Sequence, residues 1–162
     1  MAKYYVIGLA ILISTTVVAL PEDRDRNIEI TADNAVINET QNVAEYKGAV
    51  VVTQGTLKLQ GDLVKLKTNK AGLVETFIST GSPARFENLR KKADQEPIRG
   101  QAQTIYYSYD SDQAILTGDA EIHTNESQFS GPQIIYDLTT GEISAAGKPS
   151  KRVIMMMQPK RK

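Results

Sequence analysis

One histidine, no cysteine and a scatter of carboxylates are what this 162-residue chain offers to catalysis or metal binding. His123 lies in "AEIHTN", on the outward side of an alternating run beside a turn. Ligating a metal or relaying a proton takes partners, and the chain holds no second imidazole and no thiolate to supply them. Asp62, Asp110, Asp112 and Asp119 fall at turns or outward positions, where turn formation and solvation account for them. A glycosidase needs two carboxylates opposed across a cleft, and nothing singles out such a pair. The glycines are dispersed through alternating segments and form no phosphate-cradling loop ahead of a helix. The residues therefore point to a binding or structural protein rather than an enzyme, with no cofactor and no metal. A formal net charge of zero speaks against a generally basic nucleic-acid binder. The cations are unevenly placed, with Arg90, Lys91 and Lys92 in one cluster and Lys148, Lys151, Arg152, Lys160, Arg161 and Lys162 near the C-terminus. Two readings stand for them: a solvated loop and tail, or attraction to an anionic ligand or membrane surface.

The elements that would position a binding site begin after the first nineteen residues. "MAKYYVIGLAILISTTVVA" carries one early cation, an apolar run from Tyr4 to Ile13, and small residues ending in Val17 and Ala19. That pattern is a secretory signal over 1–19, removed on export, with an uncleaved membrane anchor as the alternative. The expected remainder is one domain over 20–158 and a basic tail over 159–162, without disulfides to brace it.

Period-2 alternation dominates from residue 28 onward, and it repeats. "YKGAVVVTQGTLKLQGD" (46–62) and "LTGDAEIHTNESQFSGP" (116–132) align without a gap at an offset of 70, matching Gly48 with Gly118, Val52 with Ile122 and Gly61 with Gly131. Each reads as a β-hairpin, turning at Gln54-Gly55 in the first copy, with Asn125 at the Gly55 position in the second. A turn there sets Val52 opposite Leu57, Val50 opposite Leu59 and Gly48 opposite Gly61; in the second copy Ala120 faces Phe129 and Gly118 faces Gly131. After Gly61 the apolar parity slips from Leu57 and Leu59 to Val64 and Leu66, and the same slip follows Gly131, so a β-bulge is expected at "GD" and at "GP". "IEITADNAVI" and "IRGQAQTIYY" extend the copies upstream, while "VETFISTGSPARF" and "GEISAAGKPSKRV" extend them downstream. The chain is accordingly all-β, two repeats over about 28–90 and 98–158, with "ENLRKKADQEPIRG" as a polar connector and no amphipathic helix.

By parity the inner face carries Ile28, Ile30, Ile37, Tyr46, Val50, Val52, Leu57, Leu59, Val64 and Leu66 from the first repeat. Tyr107, Leu116, Ile122, Phe129, Ile134 and Tyr136 join it from the second. Such a set makes a dry core or, given its Gly and Ala positions, the absence of tryptophan and only three phenylalanines, a lining with room for an apolar guest.

The sequence resembles the OstA-like family of periplasmic lipopolysaccharide-transport proteins. The likeness runs from about Asn27 to Gln158 and is carried by "ITADNAVINETQNVAEYKGAVVVTQGTLKLQGDLVKL", "GSPARFE", "AILTGDAEI" and "FSGPQIIYDL". It implies an open, twisted β-jellyroll with an apolar groove, whose members stack head to tail across the periplasm. Such a bridge takes lipopolysaccharide from a membrane-anchored jellyroll subunit of an inner-membrane complex to the jellyroll domain of an outer-membrane translocon. Each acyl CH₂ left in water costs about 0.8 kcal/mol, which is why the route must be sheltered. The resemblance further implies lipid-facing roles for Ile28, Ile30, Phe86 and Tyr107, with Tyr106 able to supply the same ring to the opposite face. The polar extension usual after the family's last strand is short here. The alternatives are the membrane-anchored relative of the same fold and a structural β-repeat scaffold that binds no lipid.

Overall fold

A computed structural model describes residues 24–89 and 96–158. The regular structure of these residues is entirely β: β1 (Glu29–Thr31), β2 (Asn34–Asn38), β3 (Val43–Gln54), β4 (Leu57–Thr68), β5 (Val74–Asn88), β6 (Ile98–Ser108), β7 (Gln113–His123), β8 (Ser127–Asp137), β9 (Ile143–Ala146) and β10 (Ile154–Met157). The proposed signal at 1–19, part of the connector and the tail at 159–162 lie outside the described residues.

One antiparallel sheet runs β1-β3-β4-β5-β6-β7-β8-β10, with β2 also on β3 and β9 also on β8. Its two ends do not meet, so the sheet is open. Long strands make this possible because each alternates buried and exposed residues, as in "VAEYKGAVVVTQ" and "QAILTGDAEIH".

A crease crosses the sheet at one level. Gly48 and Ala49 of β3 face the single Asp62 of β4, and Gly118 and Asp119 of β7 face the single Pro132 of β8. Between those hairpins, the segment Gly81–Pro83, which holds a cis Ser82–Pro83 bond, breaks the ladder of β5 against Gln103 of β6. Gly48 and Gly118 adopt φ of +84° and +80°. Any side chain there would also collide with Asp33 or Gln103 respectively. This is the physical reason for the repeated spacing: two glycines, seventy residues apart, place the same bulge in two hairpins.

The crease folds the sheet into two layers. The first holds β1, β10 and the hairpin turns at 55–56 and 125–126; the second holds β2, β9 and the turns at 39–42 and 109–112. Phe86 of the first layer packs edge-on against Tyr136 of the second, ring centroids 5.9 Å apart. Gly100 lies so close under Leu116 that a Cβ would come within 2.8 Å of its Cδ2. Contacts of this kind, spread over one continuous cluster of apolar side chains, hold the layers together.

Three expectations are corrected. Both hairpins turn one residue later than expected, at Gly55-Thr56 and Asn125-Glu126, so Val52 pairs with Leu59, Val50 with Gly61, Ile122 with Phe129 and Ala120 with Gly131. Gln54 stays in the strand because its side chain is anchored in the interior. The parity slip does occur at Gly61 and Gly131, but the extra residue belongs to the partner strands β3 and β7. Asn125 is not among the residues with positive φ, whereas Gly55 is, at +56°.

Candidate functional site: an apolar interior with two bare ends

Between the layers lies the apolar set that the alternation assembles. Val50, Val52, Leu57, Leu59, Val64, Phe86, Tyr107, Leu116, Ile122, Ile134 and Tyr136 are buried in a single cluster. Ile28, Ile30, Tyr46, Leu66 and Phe129 are half-buried and pack against it. Ile37 departs from the expectation of a sheltered lining position. It shares the inner face with Ala44, its ladder partner, yet is 66% exposed, because among the described residues no strand lies beyond β2 to cover it.

Two clefts open at the ends of the interior. One cleft, of about 260 Å³, is bounded by Ile37, Ala44, Tyr46 and Leu66 at the β2 end. Another, of about 460 Å³, is bounded by Ile98, Phe129 and Ile143 at the β9 end and rimmed by Glu96, Thr124, Glu126 and Ser127. Beside the second cleft the inner-face side chains of β10, Met155 and Met157, remain largely exposed.

Parity found the hairpins but passed over Phe77 and Ile105 in the two central strands, both now in the core. Ile105 was readable from Tyr107, two residues on. In β5 the crease at Gly81–Pro83 switches burial from Phe77 and Ser79 to Ala84 and Phe86, which hides the alternation. The Tyr106/Tyr107 ambiguity is resolved: Tyr107 is buried, and Tyr106 stands on the outer face opposite Ile78 and Ile115.

A polar latch closes the seam between the layers. The buried Gln54 donates from Nε2 to the carbonyls of Arg24 (2.9 Å) and Arg26 (3.0 Å), and its Oε1 accepts from the Tyr109 hydroxyl (2.7 Å). Arg24 in turn donates to the Tyr109 carbonyl at 2.8 Å, lies 5.2 Å from the Tyr109 ring centroid and pairs with Asp112 at 3.1 Å. Asp112 also accepts from the Tyr107 hydroxyl at 2.7 Å and from Thr139 at 3.0 Å. It is thus more than the solvated turn residue expected of it. Burial, reinforced by Asp112, pushes the Tyr107 hydroxyl far above the ordinary phenol range, so it remains a donor. The latch ties the end of β3 to the β6–β7 turn.

His123 is exposed on the outer face, 3.5 Å from Glu121. Among the described residues no cluster of three or more metal-ligating side chains occurs.

An open, creased sheet enclosing an apolar strip that ends bare on both sides defines an open β-jellyroll. Residues 29–142 match the family described as LptA/(LptD N-terminal domain) LPS transport protein, and the chain belongs to that family. It is 37% identical over 161 residues to the lipopolysaccharide export system protein LptH of Pseudomonas aeruginosa, covering 94% of this chain and 91% of that one. It is 30% identical over 143 residues to the lipopolysaccharide export system protein LptA of Escherichia coli, covering 87% of this chain and 76% of the other. The crystal structure of Pseudomonas aeruginosa LptH, described as the LptA homologous periplasmic component of the conserved lipopolysaccharide transport device, superposes with a TM-score of 0.80 at 33% identity. It covers 86% of this chain and 100% of the other.

Proposed function

We propose that this protein is a periplasmic lipopolysaccharide carrier that bridges the inner and outer membranes, sheltering acyl chains between its layers while sugars and phosphates stay in water. The observation that carries this reading is the apolar strip itself. It runs across the whole sheet and is left uncovered at Ile37 on one end and Met155 on the other. A self-contained globule would cap such a strip with polar residues; a segment of a longer conduit leaves it open. In this reading the seventeen inner-face residues expected from sequence form the lipid path, and acyl chains enter where the layers part at the end clefts. Copies associate head to tail through the sheet ends, and the same ends meet the jellyroll subunit of the inner-membrane complex and the jellyroll domain of the outer-membrane translocon. Transport along such a path asks for no bond-making group and no cofactor from this chain.

A photocrosslinking amino acid placed at Phe129 or Ile143, in the β9-end cleft, tests the reading against purified lipopolysaccharide. Thr53, on the outer face opposite Lys58, is the control. Crosslinks at the cleft positions and none at Thr53 are expected. Equal labelling at all three would remove the lipid path, and labelling at none would favour a scaffold with a dry core.

A further inference from the structure

We infer that the polar latch is a gate across the seam between the layers, which an amphiphile moving along the interior must undo in order to pass. This rests on the lipid path proposed above and adds where along that path movement is controlled, and by which residues.

Strands running through the crease close the layers on one side. A molecule with acyl chains inside and its headgroup in water therefore projects through the opposite side, where the turns of the two layers face each other. In the second layer those turns follow the order of the sheet: 39–42, 69–73, 109–112 and 138–142. The smaller cleft lies by the first, with Glu39 and Asn42 on its wall, and the larger by the last, with Gly141. Tyr109 and Asp112 belong to the third turn, between the clefts. Gln54 and the strap at 24–26 that precedes β1 meet them from the first layer. Passage from one cleft to the other thus crosses the latch. The larger cleft shows the seam in another state. Thr124, seventy residues after Gln54, bonds with Glu126 and Ser127 of its own turn, and the cleft opens between that turn and Gly141.

The chemistry of the latch suits opening and closing better than permanent bracing. Its contacts are hydrogen bonds and an ion pair, which water replaces when they part, whereas an apolar seam would lose all its burial on opening. The Arg24 side chain is 44% exposed, and ion pairs so open to water are weak. The strap belongs to no strand, so it can lift without breaking a ladder of the sheet. Closure is nevertheless the resting state. Gln54 is buried, and with the strap lifted its amide stands without partners until water reaches it. That penalty returns the strap once the headgroup has passed.

One protein can be tested with the latch fixed and released. Arg24→Cys and Asp112→Cys are combined in the chain, which has no cysteine of its own. The folded protein is then bridged by a reducible bifunctional thiol reagent about as long as the two side chains it replaces, whose tips lie 3.1 Å apart. A diazirine analogue of leucine at Leu57, the buried ladder partner of Gln54, reports acyl chains of purified lipopolysaccharide beneath the latch. The same label at Ile143 reports the larger cleft. The bridged protein is expected to label at Ile143 and to stay at background at Leu57. Cutting the bridge with reductant should raise labelling at Leu57 above that of the protein with its latch intact. Tyr109→Phe, which removes one latch bond and no strand residue, should raise the initial rate at Leu57 several-fold and leave Ile143 unchanged. Equal labelling of Leu57 in the bridged and reduced forms, or none in either while Ile143 is labelled, would overturn the gate and leave binding at the cleft standing. A Tyr109→Phe protein that melts lower yet loads at the parent rate would make the latch a brace and overturn the gate as well. Labelling at neither position in any form would overturn the lipid path and the gate together.

Discussion

Phe86 and Met155 hold the same place in the two repeats, one opposite Leu59 and the other opposite Phe129. Phe86 is fully buried and packs against Tyr136, whereas Met155 is 49% exposed. The difference lies in the neighbouring strand: β5 is flanked by β6, while among the described residues no strand lies beyond β10. Burial in this fold thus depends on a further strand lying alongside, and at the two ends of the sheet no described strand does.

Truncation should separate the two places most widely. Phe86→Ala is expected to cost about 3–5 kcal/mol by chemical denaturation, the range for an aromatic deleted from a core. Met155→Ala should stay within about 0.5 kcal/mol in the dilute protein, as exposed sites do. Equal losses would mean that β10 is as enclosed as β5 and would break the comparison.

The glycines facing each crease sharpen it further. A Cβ on Gly61 would sit 2.4 Å from the Ser79 hydroxyl and 2.7 Å from the Thr80 carbonyl oxygen, both fixed by β5. On Gly131 its nearest neighbour would be Val153, at an ordinary 3.5 Å. Gly61→Ala should therefore cost about 1–3 kcal/mol through overpacking. Gly131→Ala should be neutral, or stabilising by roughly 0.4–1 kcal/mol through the unfolded chain. Melting temperatures of the two variants decide between this ordering and its reverse.

The smallest effect concerns the second bulge residue, Ala49 in one repeat and Asp119 in the other. Lys151 on the β9–β10 loop hydrogen-bonds to Asp119, and with Gln103 it holds that carboxyl below the ordinary carboxylate range. A depressed folded value stabilises the protein above the unfolded value, near about 4, and the contribution disappears as pH falls through the folded value. Asp119→Asn should lower the melting temperature slightly at neutral pH and match the parent in acid. A gap that persisted or widened in acid would contradict the ion pair, and added salt should narrow it at neutral pH.

Much of this was written in the alternation. Leu57, Leu59, Val64, Leu116, Ile122 and Ile134 face inward as their parity requires, because a strand with one buried face fixes every second residue. The seventy-residue echo gave the two-repeat architecture, and the parity slip after Gly61 and Gly131 gave the level of the bulges, although the extra residues, Gly48–Ala49 and Gly118–Asp119, sit on the partner strands. Other features lay beyond local pattern. The turn moved by one residue because Gln54 finds three partners on Arg24, Arg26 and Tyr109, residues distant in sequence that only the folded layers bring within reach. Asp112 became a latch for the same reason. The parity of Ile37 correctly placed it on the inner face, but its exposure depends on whether another strand lies beyond β2. Side-chain direction is a property of the strand itself and can be read from sequence. Burial is a property of neighbours, and only the tertiary structure reveals that no described strand lies beyond the two ends of this sheet.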